Sequence, residues 1–421
     1  MKFFLIILTF FSFSFPLESY LSLYGLGEKA SNLNPSSISL GWSNLFNSNN
    51  YLNSGSLSEL YSSDLVRLSM GADFNFNSIN ENKYYNNKMN HYSFLFPLKK
   101  NKTVLGFSLS PFYRINSHLI EDQYSYFSNQ DTTFAYKSEY EFEGGPSVIS
   151  MLFSSKLNNH ISFGIKGEYI FGSLYTYKKH TVYNIENNIN TDGDIESNYN
   201  FSSNDFYTTI KNYQGYGITL EGSLKNFKNN RFGIGGESIF LNKDSKLVFS
   251  VSLINQIKIN EYLYDDIVPE ALELGYEYNQ KTEYKLTSPF EFNIGFSQAL
   301  KNDQVLTIEY YLYKPYETEF DFNILNNPDL DKNRLSIGYY KNFFNQDLIF
   351  SLGLYKIDSM SDQINSNRKG ITVGLGINSI KNISLDFCLE IGKNKTTITE
   401  VFDENYINLY LGLSTSDKWF K

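Results

Sequence analysis

The sequence has one cysteine, and beyond its first residues it has no long hydrophobic run. Because Cys388 has no partner in the chain, internal disulfides and multi-cysteine metal sites are excluded. No later stretch approaches the roughly 18–20 apolar residues that a membrane-spanning helix needs. The net charge of −9 and the lack of a basic run argue against nucleic acid as a partner.

The stretch Ile371–Ile391 shows the pattern that recurs along the chain. Apolar residues alternate with polar or small ones on both sides of a turn at Ser379–Asn382. A period of two predicts strands with one apolar and one polar face. Runs of about 9–11 residues match a tilted strand that crosses a bilayer, whereas strands of soluble sheets average about 5–6 residues. Gly374 and Gly376 on the polar face are typical of a crowded or water-filled barrel interior.

The sequence therefore predicts an all-β fold, a transmembrane antiparallel β-barrel of about fourteen strands. Short turns alternate with long connections at 116–143, 177–212 and 261–283. This alternation, expected of bacterial barrels, holds only if the ambiguous region Arg231–Asn260 crosses once. The aromatic content of 17% would supply girdles at the two membrane interfaces, although codon bias explains the totals equally well.

Four regions follow from this interpretation. Residues 1–19 are predicted to be a signal peptide, because Met1-Lys2 precedes the apolar run Phe3–Phe15. Residues 20–63 are rich in Gly, Ser and Asn and are expected to form a plug inside the barrel, or else a disordered periplasmic tail. Residues 64–414 would form the barrel, and 415–421 a periplasmic tail. Export through a signal peptide places the barrel in the outer membrane of a two-membrane bacterium.

Two short stretches of small residues lie near the N-terminus, Ser39-Leu40-Gly41 and Asn53, Ser54 and Gly55. They resemble a small-residue stretch and an Asn-Pro-Ala-like plug motif of the FadL/TodX family of outer-membrane transporters of hydrophobic compounds. Here Ser-Gly replaces Pro-Ala. The segment from Ser288 to Tyr310 is similar to the family's proline-started strand, turn and returning strand. The resemblance implies fourteen strands, an N-terminal hatch, and diffusion through a side opening at a kinked third strand.

Five residues are candidates for a substrate path through such a barrel. Trp42, Phe46, Tyr51 and Leu52 lie in the predicted plug. Pro111 lies in the third predicted strand, where proline removes one ladder donor and loosens the wall. The simpler interpretation is ordinary plug packing and a proline at the barrel rim.

Charged residues on the polar faces are expected to form a network in the lumen, because burying them unpaired would be costly. They are Lys166, Glu168, Glu221, Glu309, Asp386 and Glu390. The four histidines are expected at the surface or at the membrane interface, which argues against a serine hydrolase. The segment Asp329–Asn333 lacks the glycine and glutamate of a calcium loop, so a solvated turn is expected there. We therefore predict no enzyme activity, no cofactor and no metal site.

The leading hypothesis is a passive channel for hydrophobic small molecules, such as fatty acids. Two alternatives stay open: a non-transporting barrel that serves as a secretion or surface-attachment partner, and a general porin. The expected partners are outer-membrane lipid and lipopolysaccharide, the hydrophobic solute, and the barrel-assembly machinery. Trp419 and Phe420 near the chain end are candidates for the signal that this machinery reads, or for an interface anchor.

Overall fold

A computed structural model describes most of the chain. The described residues are 28–29, 33–48, 57–79, 82–114, 117–120, 125–129, 132–189, 195–225, 245–265, 279–287, 290–314, 317–318, 331–344, 347–360, 365–380, 382–397 and 401–417. The predicted signal peptide at 1–19 and the residues from 418 onward lie outside them.

Strands make up most of the described structure. The two helices are short: α1 is Pro35–Ile38, and a 3₁₀ helix covers Leu57–Ser62. The strands are β1 (Glu28–Lys29), β2 (Val66–Ile79), β3 (Asn82–Lys99), β4 (Thr103–Pro111), β5 (Tyr113–Arg114), β6 (Ser117–Ile120), β7 (Ser125–Asn129), β8 (Thr132–Lys156), β9 (Ile161–Ile189), β10 (Ile195–Lys225), β11 (Ser245–Asp265), β12 (Gln280–Thr287), β13 (Phe290–Ala299), β14 (Gln304–Lys314), β15 (Glu317–Thr318), β16 (Asp331–Phe343), β17 (Leu348–Met360), β18 (Asn365–Ile380), β19 (Ile383–Thr397) and β20 (Val401–Asp417). No helix within these ranges is long and apolar enough to span a bilayer.

The strands close into an antiparallel barrel whose wall has 14 strands, which confirms the predicted fold. The wall consists of β2–β4, β8–β11, β13, β14 and β16–β20, and β2 pairs with β20 to close it. The described part of the ambiguous region, residues 245–260, belongs to one wall strand, β11, which lies between β10 and β13.

Exposure along the wall is the reverse of that in a soluble sheet. In β17, Phe350, Leu352 and Leu354 are exposed, while Ser351 and Gly353 between them are buried. The same alternation recurs in β4, β14, β16 and β19. Apolar side chains that point outward all around a closed barrel require a lipid surface, and the polar alternates line the lumen.

The predicted long connections at 116–143 and 177–212 are wrong in part, because much of both is strand. The wall strands β8, β9 and β10 have 25, 29 and 31 residues, far more than a bilayer crossing needs. Their outer parts pair continuously, as between Ile195 and Ile189 at the tip. Apolar–polar alternation is absent there because both faces of a sheet outside the membrane contact water.

The wall is irregular beside β4. The ladder between β3 and β4 runs only from Lys99 to Tyr92, whereas β3 continues to Asn82 with β2 as its one partner among the described residues. β4 ends at Pro111, and beyond it the short strands β6 and β7 pair with β8 in place of β4. Nearby, the φ angles of Gly144, Gly145 and Gly172 are 100°, 124° and 127°, a region that side chains rarely adopt.

Candidate functional site on the inner face of the barrel

The N-terminal segment (residues 33–48) lies against the inner face of β14–β20, and Glu390 is its main contact on β19. The Glu390 carboxylate is fully buried and accepts five donors. Those donors are the Trp42 indole N–H at 2.9 Å, Asn408 Nδ2 at 2.9 Å, Arg368 at 3.2 Å, the Tyr410 hydroxyl at 2.5 Å and the Tyr355 hydroxyl. Arg368 also lies 5.3 Å over the Trp42 ring. Four of these donors come from the wall and one, Trp42, comes from the segment, so the buried charge ties the segment to β19 through Trp42.

Glu309 on β14 makes the second carboxylate contact with the same segment. It accepts the Ser43 hydroxyl at 2.6 Å and the backbone N–H groups of Asn44 and Leu45, each at 3.0 Å. Arg334 balances its charge with an ion pair of 2.9 Å. The wall thus accepts hydrogen bonds from backbone N–H groups that belong to no helix or strand.

Glycines on the inner face allow the N-terminal segment to approach closely. A Cβ atom on Gly353 would overlap the backbone nitrogen of Gly41, and one on Gly338 would come within 2.7 Å of Leu40. Gly374 faces Ser39 in the same way, which is the crowded interior that the sequence predicted for this position. These glycines are needed because the backbones of wall and segment are almost in contact.

The 3₁₀ helix makes a separate contact with the inner face of β3, β4 and β8–β11. Leu57 and Leu60 pack with Leu95, Val104 and Leu152 of the wall. This helix therefore packs mainly through apolar side chains, unlike the N-terminal segment.

Polar contacts of the 3₁₀ helix are fewer and less complete. Glu221 accepts the Ser58 N–H at 2.8 Å and its hydroxyl at 2.6 Å, but the second Glu221 oxygen is buried and has no hydrogen-bond partner among the described residues. Glu59 pairs with Lys225 at 2.8 Å and Lys246 at 3.1 Å. Burial raises the pKa of the Glu59 carboxyl, but the ammonium groups of Lys246 and Lys225 outweigh this effect and hold the pKa below its ordinary value.

A large apolar cluster occupies the inner face beside the wall irregularity. We call it the inner apolar cluster; its members are Phe112, Val148, Ile170, Leu174, Tyr213, Ile254, Ile257 and Ile259, with Phe142 packed against it. None of them is more than 4% exposed. They come from the end of β4 and from β8–β11. Apolar residues facing inward are unexpected in a water-filled pore, whose interior is polar.

The predicted path residues fall in three places. Trp42 adopts a φ of 65°, uncommon for a bulky residue, and contacts the rings of Tyr355 and Tyr410 at centroid distances of 6.3 and 5.9 Å. Phe46 packs with Leu40, Leu45 and Val248. Pro111 ends β4 next to the inner apolar cluster. The structure does not bring Trp42 and Phe46 into that cluster. Tyr51, Leu52 and the motif Asn53, Ser54 and Gly55 lie outside the described residues.

The predicted lumen charges are inward and mostly paired. Glu221, Glu309, Asp386 and Glu390 are buried, and Lys166 forms an ion pair of 2.9 Å with Glu168. No group of three or more His, Cys, Asp or Glu side chains in the described part of the chain could hold a metal ion. Asp331, at the predicted solvated turn, instead begins β16.

One histidine, His91, differs from the expected surface or membrane-interface position, whereas His180 is partly exposed. His91 lies within β3 with its ring buried, and its Nε2 is 3.1 Å from the Ser69 hydroxyl. His180 Nδ1 lies 3.0 Å from the Ser138 hydroxyl. Both serines are buried, so an ester substrate cannot reach either hydroxyl in this structure.

A family model described as BamG matches residues 2–421, almost the whole sequence. The chain belongs to the BamG family. A search of curated proteins found no match.

Several solved outer-membrane channels have a similar fold. A Pseudomonas aeruginosa FadL homologue is 11% identical with a TM-score of 0.52, over 94% of this chain and 100% of that one. The toluene transporter TbuX of Ralstonia pickettii is 11% identical with a TM-score of 0.51, over 92% and 98% of the two chains. The monoaromatic hydrocarbon channel CymD is 12% identical with a TM-score of 0.50, again over 92% and 98%. This likeness confirms the predicted FadL/TodX-like barrel, and the protein is an outer-membrane β-barrel.

Proposed function

We propose that this protein is a passive outer-membrane channel for small hydrophobic molecules. The observation that carries the proposal is the inner apolar cluster, which lies inside the barrel next to the place where the β3–β4 ladder ends. Contact with such an apolar surface lowers the free energy of a hydrophobic solute, but not that of water or ions. The similar folds named for hydrocarbon and toluene transport support the same class of solute.

We infer that the N-terminal segment and the 3₁₀ helix act together as a plug that closes the lumen to water. Their contacts with Glu390, Glu309 and Glu221, on three different wall strands, support this role. A general porin needs an open aqueous lumen, so a filled one favours the hydrophobic channel over the porin.

We further propose that the solute leaves or enters sideways through the wall near Pro111. Between Asn82 and His91, the edge of β3 that faces away from β2 has no strand partner among the described residues. This edge and the positive φ angles of Gly144 and Gly172 support an opening there. Such a route would pass the solute between the membrane and the inner apolar cluster without exposure to water.

Uptake measurements test the channel directly. Cells that produce the wild-type protein should accumulate a labelled hydrocarbon or fatty acid faster than cells that lack it. Ile170→Asn, which places an amide in the inner apolar cluster, should abolish this gain. Thr396→Asn, on the buried polar face of β19, is the matched control and should leave uptake unchanged. Equal uptake with and without the protein would refute the proposal.

Planar-bilayer recordings test the plug. A plugged barrel should give no large ohmic current, whereas a general porin would. Large steady currents from the wild-type protein would contradict a closed lumen and would favour the porin.

A second candidate is a partner role in outer-membrane barrel assembly, which the BamG family membership favours. In that case the filled lumen would serve stability and the outer surface would carry the function. Depletion of the protein should then reduce the folded amounts of other outer-membrane barrels, and Ile170→Asn should restore them as well as the wild type does. Normal barrel levels after depletion would refute this role.

A further inference from the structure

Two neighbouring turns at one end of the barrel form a single surface. One turn joins β3 to β4 and the other joins β8 to β9. The Lys156 N–H of the second donates a hydrogen bond of 2.8 Å to the Lys102 carbonyl oxygen of the first. The Thr103 and Ser155 hydroxyls lie 3.3 Å apart beside this contact. We call this surface the turn patch; its members are Leu98, Lys99, Lys100, Lys102, Lys156 and Leu157.

The apolar part of the turn patch continues the lipid-facing side of the wall. Leu157 belongs to the same row of alternate residues as Ile149 and Met151, which are exposed on the outer face of β8. Leu98 lies at the same end of the barrel, and each leucine is 63% exposed. Accessible apolar side chains at the limit of a lipid-facing surface are suited to the boundary between acyl chains and headgroups.

The basic part of the turn patch has an excess of positive charge. Residues 97–102 contain three lysines and residues 154–160 contain one, and neither stretch contains an acidic residue. Lys100 forms an ion pair of 3.4 Å with Asp64, and Lys99 and Lys102 are also exposed. By contrast, the turn at 300–303 contains one lysine and one aspartate. The excess charge therefore belongs to this part of the rim.

The turn patch lies at the end of the barrel that carries the chain ends of the wall. Val66 at the start of β2 pairs with Asp417 at the end of β20, and the neighbouring Arg67 pairs with Leu95 near the turn end of β3. The long outer parts of β8–β10 lie at the opposite end. Short turns of bacterial barrels face the periplasm, so the turn patch meets the phospholipid leaflet of the outer membrane.

We propose that the turn patch binds anionic phospholipids of the periplasmic leaflet. The lysines surround the headgroup phosphate, and the two leucines contact the acyl chains. Continuity with the lipid-facing wall favours a membrane lipid over a soluble partner. The excess positive charge favours an anionic headgroup over a zwitterionic one, because lysines near a membrane surface attract anionic lipids. The site is on the outside of the barrel, so the inference does not depend on the proposed channel function.

Lipid binding to the purified protein in a neutral detergent tests the proposal. The probes are phosphatidylglycerol and phosphatidylcholine with the same fluorescent acyl chain, so that only the headgroup differs. The patch variant removes three charges of the turn patch through Lys99→Gln, Lys102→Gln and Lys156→Gln. The control variant removes three exposed lysines of β18 and β19, far from the turn that joins these strands, through Lys369→Gln, Lys393→Gln and Lys395→Gln.

The wild type should bind phosphatidylglycerol at least about fivefold more tightly than phosphatidylcholine, the contribution of roughly one lysine near an anionic lipid surface. This preference should disappear in the patch variant and persist in the control variant. Because salt screens exposed charges, about 1 M NaCl should also reduce the wild-type preference. A heat-shift assay on gels checks folding. If the patch variant does not fold, the variant with only the exposed Lys99 and Lys102 replaced takes its place.

Four results would overturn the inference. The wild type binds both lipids equally, or a folded patch variant keeps the preference for phosphatidylglycerol. The control variant loses as much preference as the patch variant, which would show that total charge and not the turn patch attracts the lipid. Inorganic phosphate displaces phosphatidylglycerol better than chloride does at equal ionic strength, which would show that the lysines bind a free anion.

Discussion

The two sides of the barrel interior differ in what they can hold. The inner face of β14–β20 offers carboxylates, hydroxyls and glycines, and it holds a stretch of irregular backbone whose N–H groups need acceptors. The inner apolar cluster, on the part of β8–β11 beside Pro111, offers aliphatic and aromatic side chains, and the hydroxyl of its Tyr213 has no partner among the described residues. The inner apolar cluster has no carboxylate to accept hydrogen bonds from the N–H groups of an irregular backbone. The polar face, in turn, offers little apolar contact to a hydrophobic solute. The polar face is therefore suited to holding the N-terminal segment in place, and the apolar face is suited to a hydrophobic solute.

Among changes on the polar face of β14–β20, we expect Glu390→Ala to have the largest effect on stability. This change removes the acceptor of five donors, one of which is the partly buried Arg368. Breaking one side of a buried ion pair costs about 3–5 kcal/mol, so we expect a clear fall in the denaturation midpoint of the folded barrel in detergent. Asp403→Asn on the exposed face of β20 is the control and should leave the midpoint unchanged. An unchanged midpoint in Glu390→Ala would show that the N-terminal segment does not depend on this carboxylate.

A pair of glycine variants provides a somewhat smaller test. Gly353→Ala would force the new Cβ into the Gly41 backbone nitrogen and disturb its hydrogen bond to Thr372, whereas Gly167→Ala meets open space. Overpacking of this kind costs typically about 1–3 kcal/mol. Denaturation of the two variants should therefore differ by about that amount, with Gly353→Ala the less stable. Equal stabilities would mean that the segment does not press against β17.

The smallest expected effect concerns the 3₁₀ helix and depends on pH. Because the lysines lower the pKa of Glu59 in the folded protein, its ion pairs stabilise the helix above the ordinary carboxyl pKa. This stabilisation is lost as the pH falls through the lowered value. Limited proteolysis near residue 57 should therefore be slower for the wild type than for Glu59→Gln at pH 7. The two rates should converge in acid, and a difference that persisted at pH 2 would contradict this role of the charge.

The fold was predictable because alternation and turn lengths are local features. The prediction of about fourteen strands follows from them. The inner apolar cluster was not predictable, for a physical reason visible in β11. A register shift opposite Tyr216 and Gly217 changes which alternate residues face inward, so that Ile254 is followed by Ile257 and Ile259. By simple alternation the last two would be assigned to the lipid side with Leu253.

The candidate site was only partly predictable. Inward carboxylates such as Glu309 could be found by their place on the polar face of a strand. Their partners could not, because Ser43 and Trp42 are more than two hundred residues away in sequence. Likewise, the glycines of the inner face could be recognised as signs of crowding, but not the segment that they accommodate.

The single cysteine gives the most direct test that the polar side of the lumen is filled. Cys388 lies on the inner face of β19, fully buried against Leu33, Ile38 and Tyr410. A water-soluble maleimide should leave Cys388 unmodified in the folded wild-type barrel and react with it readily after denaturation. Rapid modification of the folded wild type would show that water reaches this face, and it would contradict an interior occupied by the N-terminal segment.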